Sequence, residues 1–159
     1  MHLLTFIVQV QIQDSLYCAG IQIVLQVNVV FSGLLIADEP TTGLDCDSAF
    51  DVVVAMKSVR GATNICTIHQ PSSELFHLFD DILFMAEGGR VAYFGPVHQC
   101  PDYFASIGLT CPSTFNPADF YINCLAVKPT QLQQSSEDID EICRQFSLKQ
   151  EASVLEENG

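Results

Sequence analysis

Apolar positions along this chain change period several times, and each change marks an element. Val8-Gln9-Val10-Gln11-Ile12-Gln13 alternates with period two, as a half-exposed strand does. Ser15 to Ala37 carries no formal charge and ends in the run Leu34-Leu35-Ile36-Ala37, which reads as a buried strand. At about 1.5 Å of rise per residue that uncharged stretch is long enough for a membrane span. Gln22, Gln26, Asn28 and Ser32 interrupt it, so the strand reading is preferred over a membrane-anchored form. From Asp47 to Arg60 apolar residues recur at helical spacing, acids first and bases last, and Gly61 ends the predicted helix. Ala62 to Ile68 is β-rich and stops at His69-Gln70-Pro71. Pro71-Ser72-Ser73-Glu74 predicts a short helix through Phe79, because Ser caps free amides and Glu suits the positive end.

Farther on, Ile82–Ala86 and Val91–Gly95 flank Glu87-Gly88-Gly89-Arg90 as a hairpin. A helix follows from Val97 to Ile107, stopped by Gly108. Asn116-Pro117-Ala118-Asp119 places a cap, a proline at the first helical position and an acid in the first turn, starting a helix to about Val127. Lys128 to Ser136 is a polar linker, and Ser135-x-x-Asp138 opens a last acidic helix. Strand, helix, strand, helix, strand is the grammar of a parallel sheet. The expected fold class is therefore α/β, mostly parallel, with a C-terminal β-hairpin and a helical appendage. Three segments are expected: 1–33, apolar and atypical; 34–127, the main unit; and 128–159, linker and acidic helix.

Composition narrows the partners. At 159 residues and 48% apolar content the chain is a folded domain or part of one. Nineteen acidic against six basic residues give a net charge of −13, which excludes a phosphate-backbone binder and makes nucleic acid an unexpected partner. Part of the acid excess lies in the last helix, where it reads as a solvated face. Seven scattered cysteines form no C-x-x-C pair and fit reduced, small buried hydrophobes. No positive region precedes the first apolar stretch, which argues against a secretory signal.

The densest chemistry is Asp38-Glu39-Pro40-Thr41-Thr42-Gly43-Leu44-Asp45, carried to a strand end by the apolar run before it. Neighbouring strand residues point to opposite faces, but at the end the backbone turns and two adjacent carboxylates can take separate duties. P-loop nucleotidases use such a Walker-B aspartate to hold Mg²⁺. Asp38 would hold Mg²⁺ through water, since that ion keeps much of its hydration shell. Glu39 would take the proton of an attacking water. His69 sits at the C-terminal end of the next strand, the edge where open α/β sheets bind ligands. His77 and His98 lack such placement and read as helix-surface residues.

Leu34 to Asp45, Thr67-Ile68-His69-Gln70-Pro71-Ser72-Ser73-Glu74-Leu75-Phe76, Val91-Ala92-Tyr93-Phe94-Gly95-Pro96 and Asn116-Pro117-Ala118-Asp119-Phe120-Tyr121 resemble the nucleotide-binding domain of G-subfamily ABC transporters, and within it the White-type eye-pigment transporters of insects. The resemblance runs in order from Leu34 to Phe146. It implies a partial P-loop NTPase core, with ATP and Mg²⁺ as cofactors. It also implies roles: Asp38 as magnesium and cofactor ligand, Glu39 as catalytic base, and His69 as the H-loop histidine that reaches the γ-phosphate and attacking water. Gly43-Leu44-Asp45 is similar to the D-loop that meets a second nucleotide-binding domain, which makes Asp45 a cofactor-side residue and that domain, in a homo- or heterodimer of half-transporters, the expected partner.

Departures from the family pattern are equally specific. Cys46 stands where the family has Ser, and Gly88-Gly89 is one glycine longer than the usual hairpin. Upstream of Leu34 there is no Gly-x4-Gly-Lys-Ser/Thr phosphate loop, no Q-loop and no Leu-Ser-Gly-Gly signature. Triphosphate binding needs a nest of amides at a helix N-terminus with a Lys. Two carboxylates without them repel ATP unless Mg²⁺ mediates, so the chain alone is expected to bind ATP poorly. The expectation is a piece of an ATPase that in complete form sits at the cytoplasmic face of a membrane, attached to a transmembrane domain outside this chain, and transports small amphipathic molecules such as pigment precursors. The alternative is a catalytically silent fragment that only binds a partner nucleotide-binding domain.

Overall fold

A computed structural model of the chain describes residues 8–11, 27–31, 33–58, 63–127 and 132–157. Its first sheet contains β1 (Val8–Gln11), β2 (Val27–Phe31), β3 (Leu34–Asp38) and β4 (Thr63–Thr67), in the order β1-β4-β3-β2. β3 and β4 run parallel with Asp38 opposite Thr67, whereas β1 is antiparallel to β4 and β2 antiparallel to β3. The sheet is thus mixed rather than mostly parallel. The reason lies before residue 34: β2 reverses directly into β3 at Gly33, whose φ of 88° a side chain would resist. Tight reversals make antiparallel pairs, while the parallel pair needs the crossover helix that follows β3.

That reversal also rules out one continuous helix through 15–37, because 27–31 and 34–38 are paired strands. Residues 15–26 and 32 of the membrane-span alternative lie outside the described residues. Among the described residues, no helix is long and apolar enough to cross a membrane.

The crossover is α1 (Cys46–Lys57), which buries Ala49, Val52, Val53 and Met56. These meet the inward positions of the strands, Leu35 and Ala37 on β3 and Cys66 on β4, in one core. Asn64 is fully buried among them, and its Nδ2 donates to the Met56 carbonyl at 2.9 Å, tying β4 to the end of α1. α1 stops at Ser58, short of the predicted Arg60, because the Ser58 hydroxyl and N–H both close on the last carbonyls. Lys57 reaches across to the Leu78 carbonyl and to Asp80, fixing the start of the second sheet.

The second sheet is the hairpin β5 (Asp81–Ala86) and β6 (Arg90–Pro96). Gly88 and Gly89 both take positive φ, 80° and 75°, and the register shifts after Phe84 so that Met85 faces Val91. Ala92, between Val91 and Tyr93, is the extra residue of that bulge. Between the sheets lies α2 (Ser73–Phe76), and after the hairpin come a 3-10 turn (Val97–Gln99), α3 (Cys100–Ser106), α4 (Pro117–Leu125) and α5 (Leu132–Glu157). An aromatic core joins them: Phe104 of α3 stacks on Tyr121 of α4 at 4.2 Å and 18°, and both meet Phe84 edge-on. α5 begins earlier than its Ser135 signal. Glu137, Asp138, Asp140, Glu141 and Glu151 face solvent while Ile139, Ile142, Cys143 and Phe146, spaced three and four apart, are buried, and the helix packs on β6. Arg90 of β6 pairs with Asp140 of α5.

Candidate functional site

The C-terminal ends of β3 and β4 carry the candidate residues. Asp38 is the last residue of β3 and is exposed; Glu39 follows it in the left-handed region, at φ 46°. Gln70, just beyond β4, is also left-handed at φ 49°. For a residue with a Cβ each such conformation costs about 1 to 3 kcal/mol and persists only where its surroundings hold it. At Glu39 the hold is visible. Its N–H donates to Thr67 Oγ1 at 2.8 Å, its carbonyl accepts the Thr42 N–H at 3.1 Å, and its Oε2 accepts the Thr42 hydroxyl at 2.9 Å.

Thr67 in turn donates from Oγ1 to Asp38 Oδ1 at 2.5 Å. The other oxygen of Asp38 has no hydrogen-bond partner among the described residues, and the side chain is exposed. A single carboxylate with one free oxygen fits Mg²⁺, which takes few carboxylates and completes its octahedron with water and phosphate oxygens. Among the described residues, no group of three or more His, Cys, Asp or Glu is placed to hold a metal alone.

Asp45 is engaged at the start of α1. Its Oδ1 accepts the Ser48 N–H at 2.9 Å and its Oδ2 the Ser48 hydroxyl at 3.0 Å, an N-cap that holds the Asp45 carboxyl below the usual carboxylate range. His69 is exposed and, with Thr41, Leu44, Cys46, Gln70 and Ser72, lines a small depression between the turn after β3 and the turn after β4. Sequence spacing of the two turns thus becomes spatial adjacency. Among the described residues, His69 makes no hydrogen bond to Asp38, Glu39 or Asp45. His77 and His98 are both exposed.

Two polar residues join the site that sequence reasoning did not single out for it. Thr67 links both carboxylate residues, and its only signal is a hydroxyl at the last position of a strand leading to His69. Asn116, read as a helix cap, has a second contact: its Nδ2 donates to the Pro71 carbonyl at 2.8 Å, anchoring the turn that carries His69. Its Oδ1 accepts the Ala118 N–H and caps α4.

Comparison with known proteins places this geometry in context. A family model described as ABC-2 type transporter matches residues 69–157. That description is of a membrane-transporter family, and it neither identifies residues 34–127 as a nucleotide-binding domain nor puts the transmembrane part wholly outside the chain. The chain is 50% identical over 126 residues to protein white of Drosophila melanogaster, covering 78% of this chain and 18% of that protein. It is 42% identical over 108 residues to ABC transporter G family member 25 of rice, covering 67% of this chain and 10% of that protein. A third relative, ABC transporter ATP-binding protein/permease wht-1 of Caenorhabditis elegans, is 44% identical over 115 residues, covering 71% of this chain and 17% of that protein. The chain thus spans less than a fifth of the length of these relatives.

Proposed function

The chain belongs to the ABC-2 type transporter family, in its White-type G subfamily, and on that premise we propose that residues 34–127 are part of a nucleotide-binding domain with a P-loop NTPase core, supplying the water-activating half of an ATPase site. One observation carries the reading: at the end of the parallel pair β3 and β4, Asp38 keeps a free oxygen while Glu39 is locked beside it by Thr67. Mg²⁺, when bound, supplies neutralisation of charge on the phosphates. Asp38 would hold it through water. Glu39 accepts the proton of the attacking water, and His69 steadies that water and the γ-phosphate from the neighbouring turn. Preorganised groups of this kind do most of the work in phosphoryl transfer, which asks for positioning and charge more than covalent chemistry.

ATP itself must be held by amides and a Lys that these residues do not provide, so the site is shared with other sequence. That the relative wht-1 is an ABC transporter ATP-binding protein/permease by name supports this reading. In complete form the protein hydrolyses ATP at the cytoplasmic face of a membrane, paired with a second nucleotide-binding domain, to move small amphipathic molecules, pigment precursors among them. The test places residues 34–127 at the matching positions of a full-length White-type transporter and measures ATP hydrolysis against Mg²⁺ concentration. Asp38→Asn should raise the Mg²⁺ needed for half-maximal rate by tenfold or more, on the order of one lost charged ligand. An unchanged Mg²⁺ requirement removes Asp38 from the site.

A second reading, a silent chain that only docks on a partner nucleotide-binding domain, is favoured by Leu44, which stands 44% exposed in the turn before α1. Hydrolysis by the full-length White-type transporter carrying residues 34–127 separates the two: loss of turnover in Glu39→Gln refutes silence, and unchanged turnover supports it.

A further inference from the structure

We infer that Thr67 is a positioning residue that holds the Asp38 carboxylate and the Glu39 backbone with one hydroxyl, an inference that rests on the roles proposed for Asp38 and Glu39. A threonine hydroxyl has one proton to give and two lone pairs to receive with. Here the proton goes to Asp38 Oδ1 at 2.5 Å, and a lone pair takes the Glu39 N–H at 2.8 Å. The parallel register puts this residue directly opposite Asp38, so the bridge is built into the pairing of β3 with β4.

Two consequences follow from that single oxygen. With Oδ1 engaged, the carboxylate of Asp38 cannot turn freely, and Oδ2 is the oxygen left for an ion. At Glu39 the bond falls on the N–H of a residue at φ 46°, a conformation that is rare outside glycine and that directs where the Glu39 side chain departs from the turn. Thr42 then holds the Glu39 carboxylate itself. Metal ligand and base are therefore not independent: one hydroxyl ties the Asp38 carboxylate to the backbone from which the Glu39 side chain departs, and in-line attack on a phosphate depends on such positioning.

The test uses the full-length White-type transporter carrying residues 34–127, with Thr67→Val, Thr67→Ser and Glu39→Gln measured together. Val has the shape of Thr without the hydroxyl. Thr67→Val should lower kcat for Mg-ATP hydrolysis by about tenfold or more and raise the Mg²⁺ needed for half-maximal rate, with KM for ATP within about twofold. Thr67→Ser should restore both to within about threefold, and the Glu39 amide should exchange quickly in the Val variant only. A Val variant with wild-type kcat and Mg²⁺ dependence overturns the inference, and so does a Ser variant as impaired as Val. If instead Glu39→Gln hydrolyses ATP normally, the base assignment itself fails.

Discussion

Asn116 donates from Nδ2 to the Pro71 carbonyl at 2.8 Å across 45 residues of chain, while its Oδ1 accepts the Ala118 N–H at 3.0 Å. One amide thus caps α4 and anchors the turn that carries His69. Neither contact touches the carboxylates, yet the bond to Pro71 sets where the histidine's loop lies. The Asn-Pro-Ala-Asp segment has a physical reason here: proline suits the first helical position, and only a side chain with both a donor and an acceptor serves the two partners.

Asn116→Ala removes cap and anchor and should lower stability by about 1 to 3 kcal/mol, read by urea unfolding. Asn116→Asp keeps the cap acceptor but loses the donor, and sets a carboxylate against the Pro71 carbonyl. Its loss should fall on the His69 turn, as faster amide exchange there with α4 still protected. Equal exchange in the two variants contradicts the double role.

Phe104 and Tyr121 stack at the centre of the aromatic core, both fully buried. Phe104→Ala should destabilise by about 3 to 5 kcal/mol. Tyr121→Phe should not. The Tyr121 hydroxyl is buried with no hydrogen-bond partner among the described residues, so its removal leaves nothing unpaired and should be neutral or stabilising by urea unfolding.

Asp45 caps α1 as a carboxylate held below its ordinary value of 3.8 by Ser48. A depressed pKa gives stability that is present above the unfolded value and is lost as pH falls through the folded one. Asp45→Ala should therefore lower the melting temperature at pH 7, and the gap from wild type should close progressively as pH drops below 3.8. A gap independent of pH contradicts a charged cap.

Cysteine reactivity should sort by burial. Burial pushes the Cys66 thiol up to about 12, and pushes Cys100 up as well, whereas Cys46 is exposed at the start of α1. Since the thiolate is the nucleophile, iodoacetamide at pH 8 should label Cys46 first and reach Cys66 and Cys100 only on unfolding, by mass spectrometry. Early labelling of Cys66 contradicts the packing of β4 against α1.

Local signals carried much of the element order. Alternation in β1, the apolar run of β3, the Gly-Gly turn and the Asn116-Pro117 start of α4 each depend on residues near one another in sequence, and each stands where its signal lies. The pairing of strands was less legible. Nothing in Val27–Phe31 states that it lies antiparallel to β3, because register is decided by long-range contacts and the turn at Gly33. At the candidate site, Asp38, Glu39 and His69 stand out by type and position. Thr67 and the second contact of Asn116 do not, since a strand-end threonine and a cap asparagine are ordinary until the partner, 29 or 45 residues away, is seen. Asp45 shows the converse: a residue picked out for chemistry has both oxygens engaged in starting a helix.

Single-turnover hydrolysis of Mg-ATP by the full-length transporter carrying residues 34–127, with Glu39 against Glu39→Gln, bears most directly on the proposed ATPase half-site. Removal of a general base should slow hydrolysis about 10² to 10⁴-fold while ATP still binds. Hydrolysis at the wild-type rate in the Gln variant would contradict it.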